Sequence, residues 1–277
     1  MKTRRRYLPA GWYPQSPAEI SGLLRQWSET GVGGRVPKGT AIAAVAPHAG
    51  WTFSGRYAAR AVESLREAET VVVIGGHLPA VYPVLCAPEE AFETPLGDME
   101  RDGELAEALG RLVSLEADRV ADNTVEVQLP FVKSRFPRAR LLWLRAPAGP
   151  AAVELGARLA EAARTLGRKV ACLGSTDLTH YGPDYDFEPA GRGRDAELWV
   201  RNVSDRGFID ALIAMDANLV LERGGEGAAC SSGAAAAALS FARASGATRA
   251  ELLGYATSLE VRRAESFVGY CAVGFYA

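Results

Sequence analysis

Short apolar runs alternate along the chain with longer stretches in which apolar positions recur every three to four residues. The runs at 41–47 (AIAAVAP), 70–76 (TVVVIGG), 82–87 (YPVLCA), 140–146 (RLLWLRA), 169–174 (KVACLG), 251–258 (ELLGYATS) and 266–276 (SFVGYCAVGFY) are predicted strands. Several are apolar at nearly every position, which suits strands covered on both faces of a mostly parallel sheet. Helices are predicted over 17–29, 55–67, 103–113, 126–135, 151–166, 192–203, 207–215 and 230–244. The first has Ser16 as N-cap, Pro17 at its first position and Glu19 three residues after the cap. The last ends near Gly246, a suitable C-terminal stop. This alternation predicts one three-layer α/β/α domain spanning 1–277, with 181–227 as a helical excursion. The alanine-rich stretch 233–239 reads as a close-packed helix face.

Composition narrows the function classes. Hydrophobic residues are 48% of the 277 and charged residues 23%, with 31 basic against 33 acidic side chains and a net charge of −2. Such a balance leaves no electrostatic footprint for nucleic acid or for a membrane surface. No apolar run approaches the length of a membrane span. The basic opening MKTRRRYLPA has no apolar segment after it, so it does not read as a secretory signal. Of the 4 cysteines, Cys86, Cys172 and Cys271 fall in apolar runs and read as buried small hydrophobes. No CxxC pair occurs, so a reducing cytosol is the expected compartment.

The chain has only 3 histidines, and all lie just past predicted strands. His48 follows 41–47, His77 follows 70–76, and His180 follows 169–174 by six residues. Open α/β sheets bind ligands beyond the carboxyl ends of their strands, so the three are expected to converge on one pocket. Two imidazoles and one anion make a facial site for a borderline metal such as Fe(II), leaving positions free for substrate and oxygen. Three residues compete for the anion. Asp177 stands three before His180, although a carboxylate there also suits a turn. Cys230 precedes a predicted helix, where the dipole and free amides favour a thiolate. Glu226 is close by in sequence. Glu126 and Gln128 flank a predicted helix start, and Trp12 with Tyr13 suits either a core-closing pair or a pocket wall.

Seven stretches in order carry a resemblance: AGWYP (10–14), APHAGWTFSG (46–55), VIGGH (73–77), TPLGD (94–98), VEVQLPF (125–131), GSTDLTHYG (174–182) and ACSSG (229–233). Together they resemble the MEMO family, whose bacterial and archaeal members are called AmmeMemoRadiSam system protein B. That family is similar in fold to the class III extradiol dioxygenases such as LigB, non-haem Fe(II) enzymes that open catechol rings with O2. The resemblance implies His48, His77 and Cys230 as metal ligands, with the cysteine where the dioxygenases use a glutamate. It implies His180 and Asp177 as the catalytic pair, and Trp12 in the wall of the cleft. The family's E-H-S-x-E reads DNTVE here, which puts Asn123 in a histidine's place and Glu126 beside it in the substrate pocket.

The expected function is therefore Fe(II)-dependent oxygenase-like chemistry on an unknown small molecule, with Cu or Zn as other candidate metals. The competing expectations are a non-catalytic metal- or partner-binding protein and a metal-free hydrolase with Cys230 as nucleophile and His180 as base. The family name further implies an AMMECR1-like protein and a radical SAM enzyme as partners, and the ligand is expected to be a small molecule or a peptide.

Overall fold

The strands are built to be buried on both faces. A computed structural model describes residues 2–30 and 38–277. Its strands are β1 (Thr3–Arg4), β2 (Ala43–Ala46), β3 (Thr70–Gly75), β4 (Val84–Cys86), β5 (Ala91–Phe92), β6 (Met99–Glu100), β7 (Leu115–Ala117), β8 (Arg140–Arg145), β9 (Val170–Ser175), β10 (His180–Tyr181), β11 (Arg249–Thr257) and β12 (Phe267–Tyr276). The large sheet runs β10-β12-β2-β9-β3-β8-β4-β7, with β11 on the outside of β12. At its centre β2, β9, β3 and β8 are mutually parallel. The antiparallel pairs lie to either side, β12 on β2 and β4 on β8.

Side chains alternate across this sheet, as a two-residue period requires. Val45, Val72, Ile74, Leu142 and Leu144 enter one core, and Ala44, Ala46, Val71, Val73 and Leu141 enter the other. Helices Pro150–Thr165, Asp205–Ile213, Ala217–Arg223 and Ser232–Ala244 cover the first face. Helices Pro17–Thr30, Arg56–Ser64 and Leu129–Arg135 cover the second. The result is the expected α/β/α sandwich. The alanine run belongs to Ser232–Ala244, whose residues 232–242 are all buried. Its small side chains let two backbones approach: a Cβ at Gly156 would lie 2.1 Å from the Ala237 carbonyl oxygen.

Boundaries differ where local chemistry intervenes. The expected helix 126–135 is two pieces, Asn123–Glu126 and Leu129–Arg135. Asp122 caps the first by accepting the Thr124 N–H at 2.9 Å, and Pro130, which lacks an N–H, suits only a fresh start. The stretch 55–67 begins earlier, with a wide turn at Trp51–Gly55 leading into Arg56–Ser64. The expected helices 192–203 and 207–215 run together through a second wide turn at Val200–Ser204. Strands β1, β5, β6, β7 and β10 are two or three residues each, too short for periodicity to reveal.

β9 lies between β2 and β3 in the sheet, so the segments leaving these three strands emerge side by side at the carboxyl edge. A bridge between Leu178 and Ala229 pulls the start of helix Ser232–Ala244 against the segment after β9. No helix among the described residues is long and apolar enough to cross a membrane.

Candidate metal centre

That topology brings His48, His77 and Cys230 together, with one ligand-type atom from each within 4.8 Å of the others. The His48 Nε2 is 3.2 Å from the Cys230 Sγ. The two imidazoles meet edge to face with centroids 5.0 Å apart. Among the three expected anions, the cysteine is the one in the cluster. Glu226 turns outward and pairs with Arg223 at 2.8 Å.

Each imidazole is held from behind. The His48 Nδ1 is 3.2 Å from the Ser175 hydroxyl, which in turn accepts the Gln128 amide N–H at 3.0 Å. The His77 Nδ1 is 3.2 Å from the Asp122 carboxylate. With Nδ1 engaged in both rings, Nε2 is left to face the thiol, the arrangement that orients histidine ligands in metal sites. His77 sits in the left-handed region at φ 57°, which is costly outside glycine and so marks a residue held in place. Burial draws its imidazole pKa down, but the hydrogen bonds with Asp122 and Cys230 outweigh this and push it up to about 9. Burial likewise opposes ionisation of Asp122, yet the bonds from His77 and Thr124 and the Arg145 charge hold that carboxyl well below its usual range.

Asp177 serves the same centre through the backbone. Its Oδ1 accepts the N–H of His48 at 2.6 Å and of Ala49 at 3.3 Å, which fixes the turn after β2. Its main-chain oxygen accepts the Cys230 N–H at 3.3 Å. The His180 ring stacks on Tyr185 with centroids 4.8 Å apart, and among the described residues it makes no hydrogen bond with Asp177. Burial pushes the His180 imidazole below its ordinary pKa, with Asp177 pulling the other way. The ring beside the Cys230 thiol is His48, not His180 as the hydrolase expectation required.

His48, His77, Asp177 and His180 open on a cavity of about 410 Å3, whose wall also includes Trp12, Phe53 and Tyr270. Asn123 is in this wall too and donates to the His48 carbonyl at 3.3 Å. Glu126 is not in the wall of this cavity. Its carboxylate turns to the N-terminal segment, accepting the Tyr7 and Leu8 N–H groups, each at 2.9 Å, and the Tyr13 hydroxyl at 2.8 Å.

A Memo-like protein family model matches residues 4–274. The chain belongs to the MEMO family. It is 33% identical to a MEMO1 family protein of Thermococcus onnurineus, over 95% of this chain and 96% of that one. The MEMO1 family protein TK1477 of Thermococcus kodakarensis is 34% identical over the same shares, and Mbar_A1422 of Methanosarcina barkeri is 33% identical, again over 95% and 96%. Among solved structures, the crystal structure of uncharacterized protein JW3007 from Escherichia coli K12 superposes with a TM-score of 0.55 at 13% identity, covering 83% of this chain and 98% of that one. That likeness is one of fold.

In this MEMO-family chain the donors suit a metal ion. Two imidazole nitrogens and a thiolate favour borderline metals over Mg or Ca, and the 3.2 Å His48–Cys230 separation is short enough for both to reach one ion at about 2.0–2.3 Å. Sequence reasoning missed Ser175, Asp122, Arg145 and Ser231, which hold the ligands without joining them. Ser175 lies within GSTDLTHYG, Ser231 within ACSSG and Asp122 within DNTVE, but nothing in those motifs marks them as supports of the ligands. Arg145, as the sole charge inside the apolar run LLWLRA, was the available signal.

Proposed function

We propose that this MEMO-family protein is a non-haem iron protein that turns over a small chelating substrate with O2. The observation that supports it is the His48, His77 and Cys230 cluster with the far nitrogen of each imidazole already engaged, its two imidazoles lining a cavity that carries a third. Bound Fe(II) would supply Lewis acidity toward a phenol-type oxygen and one-electron access to O2. The protein's own part is positioning and proton handling. Trp12, Phe53 and Tyr270 offer apolar walls for a flat ring. His180, neutral because burial disfavours its charged form, accepts the proton of a substrate hydroxyl in that cavity. The four cysteines are free thiols, which supports a reducing compartment, the cytoplasm.

A non-catalytic metal- or partner-binding protein is the second reading. It is favoured by Asn123, whose amide occupies the cavity wall and cannot exchange a proton. Anaerobic loading with Fe(II), followed by metal analysis of wild type, His48→Ala and Cys230→Ala, separates the readings. The enzyme reading expects about one iron per chain, lost in both variants. It also expects O2 uptake with members of a catechol panel, abolished in His180→Ala while iron is retained. Iron binding without uptake of O2 selects the second reading. The absence of a specific metal in wild type removes both metal readings.

A further inference from the structure

A buried chain of alternating charges ends on His77. Arg145 is the last residue of β8 and lies beside Gly75 in the sheet. The residue is 4% exposed overall, and its guanidinium reaches three acceptors at once. The Nε donates to the Gly76 carbonyl at 3.0 Å, Nη1 lies 3.6 Å from the Asp118 carboxylate, and Nη2 lies 3.3 Å from Asp122. Asp118 is wholly buried and is itself held by the Trp143 indole N–H at 3.1 Å and by Arg4. Asp122 Oδ2 is shared between Arg145 and the His77 Nδ1, while Oδ1 takes the Thr124 N–H and hydroxyl.

The strand end that carries His77 has little other freedom. A Cβ at Gly76 would lie 2.4 Å from the Ser231 Cβ, and one at Gly75 would meet the Thr124 hydroxyl. The Gly76 N–H donates to Thr124 and the His77 N–H to Ser231, both at 3.2 Å. The Gly76 carbonyl of the same turn is bound by Arg145. We infer that Arg145 is the positioning residue for His77: one guanidinium fixes both the left-handed turn that presents the ring and the carboxylate that aims it. A lysine has the charge but a single point of contact, whereas the planar fork with five donors spans all three acceptors. The inference deepens the metal-site reading and rests on His77 being a ligand.

Crystal structures of metal-free Arg145→Lys and Arg145→Gln in the full chain read the ring directly. In both, the His77 Nδ1 is expected to leave hydrogen-bonding distance of Asp122; a ring in its wild-type position overturns the inference, whatever the metal does. Co(II) titration is the second readout. Both variants should bind about 10–100-fold more weakly than wild type, with no further loss when Arg145→Gln is added to His77→Ala. An equal loss in the His77→Ala background would mean that Arg145 acts on the site as a whole, and the inference falls. Should Arg145→Gln fail to fold, Arg145→Lys, which keeps a cation between Asp118 and Asp122, carries the crystal test and the titration. Wild type that binds no Co(II) defeats the metal reading by itself, and the position of the ring in the variants still decides this one.

Discussion

The two ends of the central strands carry similar residues put to different use. At the amino ends of β3 and β8, the buried Asp102 accepts the Thr70 hydroxyl, the Leu105 N–H at 3.0 Å and the Arg168 guanidinium at 3.1 Å. Every partner there is spent inside the network, which ties the start of helix Gly103–Gly110 to the sheet. At the carboxyl ends of β2, β3 and β9, Asp177 and Asp122 instead hold the two histidine segments, Asp177 through the His48 N–H and Asp122 through the His77 ring. Two imidazoles and a thiol converge there, with the His48 Nε2 and the Cys230 Sγ turned on each other at 3.2 Å. A saturated carboxylate contributes stability; one that orients a ligand contributes a site.

Removing the saturated carboxylate should have the largest effect. Asp102→Ala leaves Arg168 without its buried counter-charge and the helix without its cap, and should cost about 3–5 kcal/mol in urea unfolding, with the metal stoichiometry of the folded protein unchanged. Loss of metal at constant fold would erase the contrast between the ends. Next comes Asp205, which underlies the strand bearing His180 by accepting the Thr179 N–H at 3.1 Å and the Tyr255 hydroxyl at 2.8 Å. Burial pushes its carboxyl up to about 6 against those hydrogen bonds. An acid whose folded pKa is raised contributes stability below its ordinary pKa, and that contribution is lost as pH rises through about 6. Wild type should therefore lose about 2–3 kcal/mol relative to Asp205→Asn between pH 4 and pH 8. Parallel pH profiles for the two proteins would mean that this carboxylate is not strained.

Ser175→Ala tests the carboxyl end more finely. It frees the His48 Nδ1 and leaves the Gln128 amide with only the Pro47 carbonyl as acceptor, so metal affinity should fall about 10-fold and stability by about 1–2 kcal/mol. Unchanged affinity by titration would show that the His48 ring needs no second partner. The smallest effect belongs to Glu226→Gln, in an exposed pair with Arg223. Its stability should move by no more than about 0.5 kcal/mol and its metal content not at all. Lost metal there would return Glu226 to the ligand set and break the assignment of Cys230.

The layers, the large strands and the strand-end histidines were legible because they depend on periods and termini. Val71 to Ile74 are apolar at every position since both faces are covered, and His48 and His77 directly follow such runs. The order of seven motifs identified the family and, through it, Cys230. What sequence order could not reveal is which residues separated by tens of positions share a side chain contact. Glu126 and Asp122 are four apart and both acidic, yet one ties down the N-terminal segment and the other aims His77. Only the start of the short helix Asn123–Glu126 at Asp122 and the path of residues 7–13 decide that. Ser175, Gln128 and Arg145 are likewise ordinary residues until β9 is inserted between β2 and β3 and β8 is laid against β3. Periodicity reports what one segment buries, since that depends on its own side chains. Which of Asp177, Cys230 and Glu226 joins the histidines depends on where separate segments meet: a bridge draws Cys230 against Asp177 and leaves Glu226 in solvent.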